Sequence, residues 1–223
     1  MKSAYFTQGT IEPVAARMLE SLPQYERSAP RLVADQSALL VLDMQRFFLE
    51  PASHAYIPSA GAIIPGIQAL VAAYSRRSRP VLFTRHLNTE QNAAMMSRWW
   101  RDIITEHSDL SEVTEALDTS RGAVLVKSQY DAFYGTPLDD VLSQAGVRQL
   151  LICGVMTHLC CETTARSAFV RGYEVFFTVD GTATYNQDFH FSSLLNLSHG
   201  FATPLLVGDA LNALEVGGFG RTA

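Results

Sequence analysis

The stretch LICGVMTHLCCETT, residues 151–164, joins an apolar run to a segment of helical character. The run 149–153 has the length and hydrophobicity of a buried strand, and a glycine, Gly154, follows it closely. Two adjacent cysteines come next, the first of them six residues after that glycine. A segment of helical period, 160–171, then continues to Gly172. The pattern predicts a strand, a turn and a helix, with a thiol where the turn meets the helix.

The same alternation of apolar runs and helical segments extends outward from this stretch in both directions. Six runs have strand length, 38–42, 80–84, 123–126, 149–153, 173–178 and 203–207, and most of them show the continuous hydrophobicity of strands that are buried on both faces. Segments of helical period lie between several of them: 61–77, 137–145, 160–171 and 188–200. Strands joined by helical crossovers form parallel sheets. We therefore predict an α/β protein with a three-layer α/β/α Rossmann-like fold and a mostly parallel six-stranded sheet.

The length of 223 residues suits one main domain with short extensions. Residues 1–36 are of mixed character and contain three prolines, so we interpret them as an N-terminal arm with one short helix. The alternating pattern occupies 37–211, and the C-terminal tail 212–223 is expected to fray. The connection 85–120 is long enough to carry helix and part of a functional site, and it contains two adjacent tryptophans.

Bulk composition argues against several classes of protein. Hydrophobic residues make up 48% of the chain, charged residues 17%, and the net charge is −5, which predicts a large core and no nucleic-acid surface. We find no signal peptide and no apolar window of about 18 residues, so no membrane segment is expected. Three cysteines crowd into nine positions, a pattern that favours free thiols in the reducing cytoplasm over a disulfide framework.

Three reactive side chains follow three of the predicted strands. Asp43 ends the first run, Lys127 ends the third, and the cysteine pair follows the fourth. The carboxyl ends of parallel strands share one edge of the sheet, where open α/β sheets form their sites. Each residue alone has a simpler explanation, as a turn carboxylate, a solvated amine or a small core residue. Charged groups at an apolar rim need partners, so we expect the three side chains to meet there. An acid, an amine and a thiol in contact fit the chemistry of a cysteine hydrolase.

A site of this kind can activate a thiol in three ways. An ordinary thiol, with a pKa of about 8.5, is only a few per cent thiolate at neutral pH. A helix start and the neighbouring Lys127 ammonium both favour the anion, and Asp43 can accept the proton and later return it to a leaving amine. Backbone N–H groups at the helix start are unpaired within the helix and can bind an oxyanion.

Three motifs resemble the isochorismatase-like superfamily, also called the cysteine hydrolases. They are LVLDMQRFF at 40–48, KSQYDAF at 127–133 and GVMTHLCCETTARSAFVRGY at 154–173, and the resemblance extends from about residue 37 to residue 211. It implies a catalytic triad of Asp43, Lys127 and Cys160. The family nucleophile stands six residues after the glycine of the GVxTxxC pattern, which selects Cys160 and not Cys161.

The resemblance also implies the backbone around the nucleophile. The family has a non-proline cis peptide bond after the valine of this motif, which corresponds to a cis bond between Val155 and Met156. By the same resemblance, the N–H groups of Met156 and Cys160 form the oxyanion hole.

The superfamily contains two kinds of chemistry. Amidase-type members cleave a C–N bond through a cysteine thioester, whereas isochorismatases cleave a vinyl ether, converting isochorismate to a dihydroxy-dihydrobenzoate and pyruvate, with the aspartate as acid. The first motif and Trp100 resemble the second branch. Cys160, Met156 in place of a tyrosine, and the lack of an arginine between residues 90 and 97 favour the first. We predict C–N hydrolysis of a small amide or carbamoyl compound; vinyl-ether hydrolysis and a non-catalytic binding protein are the alternatives.

Further residues are predicted to line the substrate pocket or to pack. Nicotinamidases often hold a metal with an Asp-x-His set, but the matching stretch here has only His86, so we expect neither metal nor cofactor. The predicted substrate contacts are Gln45, Phe47, Arg85, His86, Trp100, Tyr130 and Phe133, and the two residues Arg85 and His86 are candidates for binding a substrate carboxylate. His158, Cys153 and Cys161 are expected to pack. A small-molecule substrate and a homo-oligomer, dimer or tetramer, follow from the resemblance.

Overall fold

Six parallel strands form one sheet, which the computed structural model describes together with its surroundings over residues 1–25 and 30–216. The strands are β1 (Ser37–Leu42), β2 (Val81–His86), β3 (Ala123–Lys127), β4 (Gln149–Val155), β5 (Glu174–Ala183) and β6 (Thr203–Leu205). Their order across the sheet is β3-β2-β1-β4-β5-β6, and every pairing is parallel. The predicted α/β fold with a six-stranded sheet is confirmed.

Helices cover the two faces of this sheet. They are α1 (Ile11–Glu20), α2 (Arg46–Leu49), α3 (Ala60–Arg76), α4 (Met96–Trp99), α5 (Leu138–Gln144), α6 (Glu162–Val170), α7 (Gln187–Gly200) and α8 (Val207–Val216), with short 3₁₀ turns at Ala34–Gln36 and Thr119–Arg121. The chain proceeds from β1 towards one edge of the sheet and from β4 towards the other. Right-handed crossovers in opposite directions place their helices on opposite faces. Accordingly, α3 packs with α8, and α6 packs with α7.

The strand order reverses between β1 and β4, and this reversal creates the crevice for a site. The two strands run side by side in register until Leu42 pairs with Gly154. Neighbouring loops therefore leave their carboxyl ends in different directions and open a cleft between them. Asp43 and the segment after Val155 both emerge at this cleft.

Some expectations about individual strands need correction. Continuous hydrophobicity predicts burial on both faces, yet β3 is an edge strand, and Val124 and Val126 are 44% and 53% exposed. An apolar run records hydrophobicity alone, so it does not distinguish a central strand from an edge strand. The run 173–178 is also too short, because β5 continues to Ala183 along the extended β4.

The N-terminal arm contains the predicted short helix, α1, and its first residues pack against the main domain, with Phe6 in the core. Part of the arm, residues 26–29, lies outside the described residues. Helix α8 crosses the predicted start of the tail at residue 212, and residues 217–223 also lie outside the described part. Within the described ranges, we find no helix that combines the length and the apolarity needed to cross a membrane.

Gly154 is the position where we expect the fold to be least tolerant of a side chain. Its φ is +110°, and a Cβ there would lie 2.1 Å from the carbonyl oxygen of Leu42 in the paired strand. We predict that Gly154→Ala lowers the free energy of unfolding by more than about 3 kcal/mol, measured by urea denaturation. Gly146→Ala is the matched control, because Gly146 also has a positive φ, +64°, but nothing within 4 Å of its Cβ position. Equal losses in the two variants would contradict the steric explanation.

Candidate active site

Three buried side chains meet at the cleft between β1 and β4. Asp43 directly follows β1, Lys127 is the last residue of β3, and Cys160 lies in the turn after β4. Lys127 Nζ is 2.8 Å from Asp43 Oδ2 and 3.4 Å from Cys160 Sγ. The structure thus brings together the acid, the amine and the thiol that the sequence places at three separate strand ends.

Lys127 reaches this centre across the end of β2. Neighbouring strands are about 4.8 Å apart, so a residue on β3 needs a long side chain to contact a group after β1. Besides Asp43 and Cys160, its Nζ contacts Gln129 O at 2.8 Å and His86 Nδ1 at 3.3 Å. Donor atoms of Asp43, His86 and Cys160 lie within 4.8 Å of one another, a spacing compatible with a metal ion. The Lys127 ammonium contacts all three, so the protein's own cation already serves this donor set.

Asp43 is held by its backbone and by β2. Its φ of 49° lies in the left-handed region, which a non-glycine residue rarely adopts and which occurs often at functional sites. Thr84 Oγ1 donates to Asp43 Oδ1 at 2.6 Å and accepts from the Asp43 backbone N–H at 3.0 Å. One carboxylate oxygen is therefore occupied by Thr84, and the other faces Lys127.

Electrostatics fix the charge of each group in the site. Burial opposes the charges on Asp43 and Lys127, but their attraction dominates, so the pKa of Asp43 is lowered and that of Lys127 is raised. Burial, followed by the charge of Asp43, raises the pKa of the Cys160 thiol, and this outweighs the opposing effect of Lys127. The expected stabilisation of a thiolate is therefore wrong for the resting site: Cys160 is a neutral thiol beside a carboxylate.

His86 is held neutral in one tautomer. Burial, and then the charge of Lys127, lower its pKa to about 4. Its Nε2 is 2.8 Å from Asn88 Oδ1 and donates to it, because Nδ1 accepts from the Lys127 ammonium. A neutral imidazole with both nitrogens engaged is poorly suited to a substrate carboxylate, which corrects that part of the prediction for His86.

The backbone before Cys160 presents a free donor. The peptide bond between Val155 and Met156 is cis, the geometry that the resemblance implies. Within the described residues, the Met156 N–H has no hydrogen-bond acceptor. Residues Thr157–Cys161 form a π-helical turn, so α6 begins at Glu162 and not at residue 160. Single π turns are frequent at functional sites, and this one carries Cys160.

The two adjacent cysteines point into different environments. Cys160 lines the cavity described below, whereas Cys161 is fully buried in the hydrophobic core. Successive residues on a helical turn face different directions, which explains the separation. Cys153 is fully buried within β4, and its Sγ is 3.7 Å from Leu40 O.

The cavity beside Cys160 has a volume of about 170 Å³, and its wall is mostly aromatic and apolar. Four of the predicted substrate contacts line it: Phe47, His86, Trp100 and Tyr130. Trp100 Nε1 donates to the Tyr130 hydroxyl at 2.7 Å. Of the two adjacent tryptophans, Trp100 faces the site and Trp99 is 73% exposed.

Gln45 and Arg85, two of the predicted substrate contacts, do not line the cavity but form hydrogen bonds with the residues around it. Gln45 is fully buried; its Nε2 donates to His86 O and Ser111 O, and its Oε1 accepts from the His86 N–H. Arg85 donates to Ser111 at 2.8 Å and is ion-paired with Glu112 at 2.5 Å. Both side chains are used to tie the end of β2 to the loop near residue 111, so neither is available to a ligand.

Phe133 is a third predicted contact that the structure places elsewhere. It is buried outside the cavity and stacks on Tyr173 with 5.9 Å between ring centroids. His158 packs as expected: its Nδ1 is 2.6 Å from Thr184 Oγ1, and its ring stacks on Phe189. Position on the same rim as Lys127 was the only signal for Phe133, and it does not determine which way a ring points.

Several residues that line the cavity are not among the predicted substrate contacts. They include Phe48, His54, Asn88, Met96, Leu159 and Tyr185. The N-terminal arm contacts two of these residues: Lys2 donates a hydrogen bond to the carbonyl of His54, and its Nζ lies 4.3 Å from the centroid of the Tyr185 ring. The long connection 85–120 was a correct signal for part of the wall, but no motif indicated the contribution of the arm.

Comparisons with known proteins agree on one family. A family model described as the isochorismatase domain matches residues 37–209. Nicotinamidase 3 of Arabidopsis thaliana is 37% identical over 171 residues, which are 74% of this chain and 82% of that protein. Enterobactin synthase component B of Escherichia coli K12 is 32% identical over 162 residues, which are 71% of this chain but 56% of that protein. A crystal structure of a cysteine hydrolase from Pseudomonas syringae pv. phaseolicola 1448A superposes with a TM-score of 0.80 at 26% identity, covering 87% of this chain and all of that one.

Proposed function

The chain belongs to the isochorismatase family of hydrolases, and from that premise we propose that it cleaves the C–N bond of a small carboxamide or carbamoyl compound through Cys160. The observation that carries this proposal is the contact of the Lys127 ammonium with both Asp43 and Cys160 at the wall of a cavity. A thiol, a carboxylate within reach and a fixed cation are the groups that nucleophilic amide hydrolysis requires.

The reaction begins when the substrate carbonyl lies against Cys160. Asp43 accepts the thiol proton as Sγ attacks the carbonyl carbon, which forms the C–S bond and moves the π electrons onto oxygen. The N–H groups of Met156 and Cys160 bind this oxyanion. Asp43 returns the proton to the leaving nitrogen as the C–N bond breaks, leaving a thioester. Asp43 takes a proton from water as the water oxygen attacks the thioester carbon; the C–S bond then breaks, the carboxylic acid leaves, and Asp43 returns the proton to Sγ, which regenerates the Cys160 thiol.

Proton transfer during attack is the step that the electrostatics favour. The thiol is neutral at rest and the carboxylate is ionised, so the base is in the correct state before substrate binds. Lys127 keeps Asp43 ionised and steadies the developing charge on sulfur, since its Nζ lies within 3.4 Å of Sγ. Its burial also holds this charge in place without reorganisation.

The cavity wall favours an uncharged substrate with an apolar or aromatic body. The wall is mostly aromatic and apolar, and the cavity volume of about 170 Å³ suits a small molecule. Arg101 lies at the rim, exposed, with its Nε 3.7 Å from Asp102. The similarity to a protein named nicotinamidase points in the same direction, because nicotinamide is a small aromatic carboxamide.

Vinyl-ether hydrolysis is the second candidate, and the similarity to enterobactin synthase component B favours it. That chemistry needs Asp43 as a proton donor. The lowered pKa of Asp43 beside Lys127 keeps the carboxyl ionised, which makes it a base and not an acid. We therefore rank C–N hydrolysis first.

A substrate screen tests this ranking. We expect ammonia release from small aromatic carboxamides, and no pyruvate from isochorismate, when both products are monitored with the same enzyme preparation. Carbamoyl compounds such as N-carbamoyl amino acids extend the screen to the other C–N substrates. Pyruvate release without any amide turnover would reverse the ranking.

Alkylation of Cys160 tests the protonation state at rest. Because its pKa is raised by burial and by Asp43, we expect iodoacetamide to label Cys160 slowly at pH 7 and progressively faster as the pH is raised. Asp43→Asn removes the neighbouring charge and should speed labelling at pH 7 several-fold. Peptide mass spectrometry identifies the labelled cysteine. Rapid labelling of the wild-type protein at pH 6 would contradict a neutral thiol.

Assembly, location and domain limits are also part of the proposal. The family resemblance supports a homo-oligomer, dimer or tetramer, and three buried cysteines, all free thiols, are compatible with the cytoplasm. We assign the hydrolase domain to 37–211, with the arm before it and the tail after it. No nucleic-acid or membrane partner is proposed.

A further inference from the structure

One hydrogen bond in the cavity wall leaves a donor without an acceptor. Trp100 Nε1 is 2.7 Å from the hydroxyl oxygen of Tyr130. An indole N–H can only donate, so the phenol oxygen accepts this bond and its own proton points elsewhere. Within the described part of the chain, the Tyr130 hydroxyl contacts no acceptor. The O–H group is therefore committed to donating, and both residues line the cavity.

Two neighbouring polar side chains of the wall, His86 and Asn88, already use their hydrogen-bonding atoms. Both nitrogens of His86 are engaged. The Asn88 amide accepts from His86 through Oδ1 and donates through Nδ2 to Ser128 O at 2.9 Å. His54 Nδ1 lies 3.2 Å from Asp102 Oδ2 at the rim. Tyr130 is thus a polar group of the wall that keeps a directed, unused donor.

Tyr130 shares the cavity with the nucleophile, because Tyr130 and Cys160 both line the same space of about 170 Å³. Burial raises the pKa of Tyr130, so its hydroxyl keeps its proton across the neutral range. The donor therefore lies within one small molecule's reach of the nucleophile.

We propose that the Tyr130 hydroxyl, oriented by Trp100, donates a hydrogen bond to a second acceptor atom of the substrate, apart from the amide that reacts. The substrate class is then a small aromatic amide with a ring nitrogen or a comparable acceptor. This inference rests on the proposed C–N hydrolysis. Substrate binding closes this partly exposed donor off from water, and a donor left there without an acceptor is unfavourable, so the site disfavours an analogue that lacks the acceptor.

Nicotinamide and benzamide form a matched pair of probes, because they differ by one ring nitrogen. In the wild-type enzyme we expect kcat/KM to be about tenfold higher for nicotinamide, the effect of one neutral hydrogen bond. Tyr130→Phe should remove this preference by lowering the rate with nicotinamide. Tyr134→Phe is the matched control, because Tyr134 is 62% exposed and lies four residues along the same segment. It should keep the preference unchanged.

A binding measurement separates this inference from the proposed reaction. Titration calorimetry on the Cys160→Ala protein compares the Kd of the two amides without turnover. Tighter binding of nicotinamide that is lost on adding Tyr130→Phe supports the donor role, even if neither amide is hydrolysed by the wild-type enzyme. Equal losses for both amides, a preference that survives Tyr130→Phe, or no binding of either amide would overturn it. Absence of hydrolysis alone counts against the proposed reaction only.

Discussion

Cys160→Ala is expected to lower kcat/KM for the amide substrate by at least ~10⁴-fold, because the variant has no nucleophile to form the thioester. Cys160 is 6% exposed and lines the cavity, so truncation to alanine alters little of the fold. Ammonia release under saturating enzyme measures the residual rate, and urea denaturation shows that the variant remains folded.

Cys161→Ala is the control for this result. Cys161 is the adjacent residue and is fully buried in the core, so its replacement removes one sulfur without touching the site. We expect a loss of roughly 1 kcal/mol in stability and a rate within a few-fold of the wild type. If Cys160→Ala kept near-wild-type turnover, the thioester pathway would be wrong, and pyruvate release by that variant would identify the vinyl-ether reaction.

Lys127→Met is expected to abolish activity and also to destabilise the fold by about 3–5 kcal/mol, because it leaves the Asp43 carboxylate buried without a partner. The ion pair is 2.8 Å long, and both side chains are fully inaccessible to solvent. Methionine keeps an unbranched apolar side chain of similar length and removes the ammonium with its charge and hydrogen bonds. Urea denaturation at pH 7 measures the loss.

Two further variants isolate the cause. Adding Asp43→Asn to Lys127→Met removes the unpaired charge, so most of the stability should return while activity does not. Arg121→Met breaks an exposed ion pair of the same 2.8 Å length, with Asp118, and should cost less than about 1 kcal/mol. Similar losses in the buried and exposed pairs would refute the role of burial.

The pH dependence of stability is a second test of the Lys127→Met variant. In the wild type, the lowered pKa of Asp43 adds stability above its unfolded pKa of about 3.9, and that stability is lost as the pH falls through the folded pKa. In Lys127→Met, burial without the ammonium raises the folded pKa above the unfolded one. Stability should then fall as the pH rises through that interval, opposite to the contribution of Asp43 in the wild type.

The predictability of the site differs between its centre and its wall. Asp43, Lys127 and the cysteine pair follow apolar runs, and the rule that strand ends share an edge was enough to bring them together. The structure adds the reach of Lys127 across β2, where His86 fills the gap. It also changes the charge assignment, because the pKa of Cys160 depends on burial, which the motif does not report.

The residues of the cavity wall, in contrast, are poorly predicted by the sequence. Gln45 lies within the first motif and Arg85 directly follows the predicted strand 80–84, yet their hydrogen-bonding groups are used by the loop near Ser111. Tyr185 and Lys2 are far apart in the chain and meet beside the cavity. Such contacts depend on loop paths and on which side chain satisfies which backbone group, so they are not properties of any local pattern.

In LICGVMTHLCCETT, the local pattern was enough to predict the strand, the turn after it and the presence of a nucleophile, because hydrophobic period is a local property. Tertiary structure alone decided which neighbours each thiol has. Cys160 faces Asp43, Lys127 and the cavity, whereas Cys161 faces the core. The charge of a buried group follows from its surroundings, and those surroundings are assembled from strands that are distant in the chain.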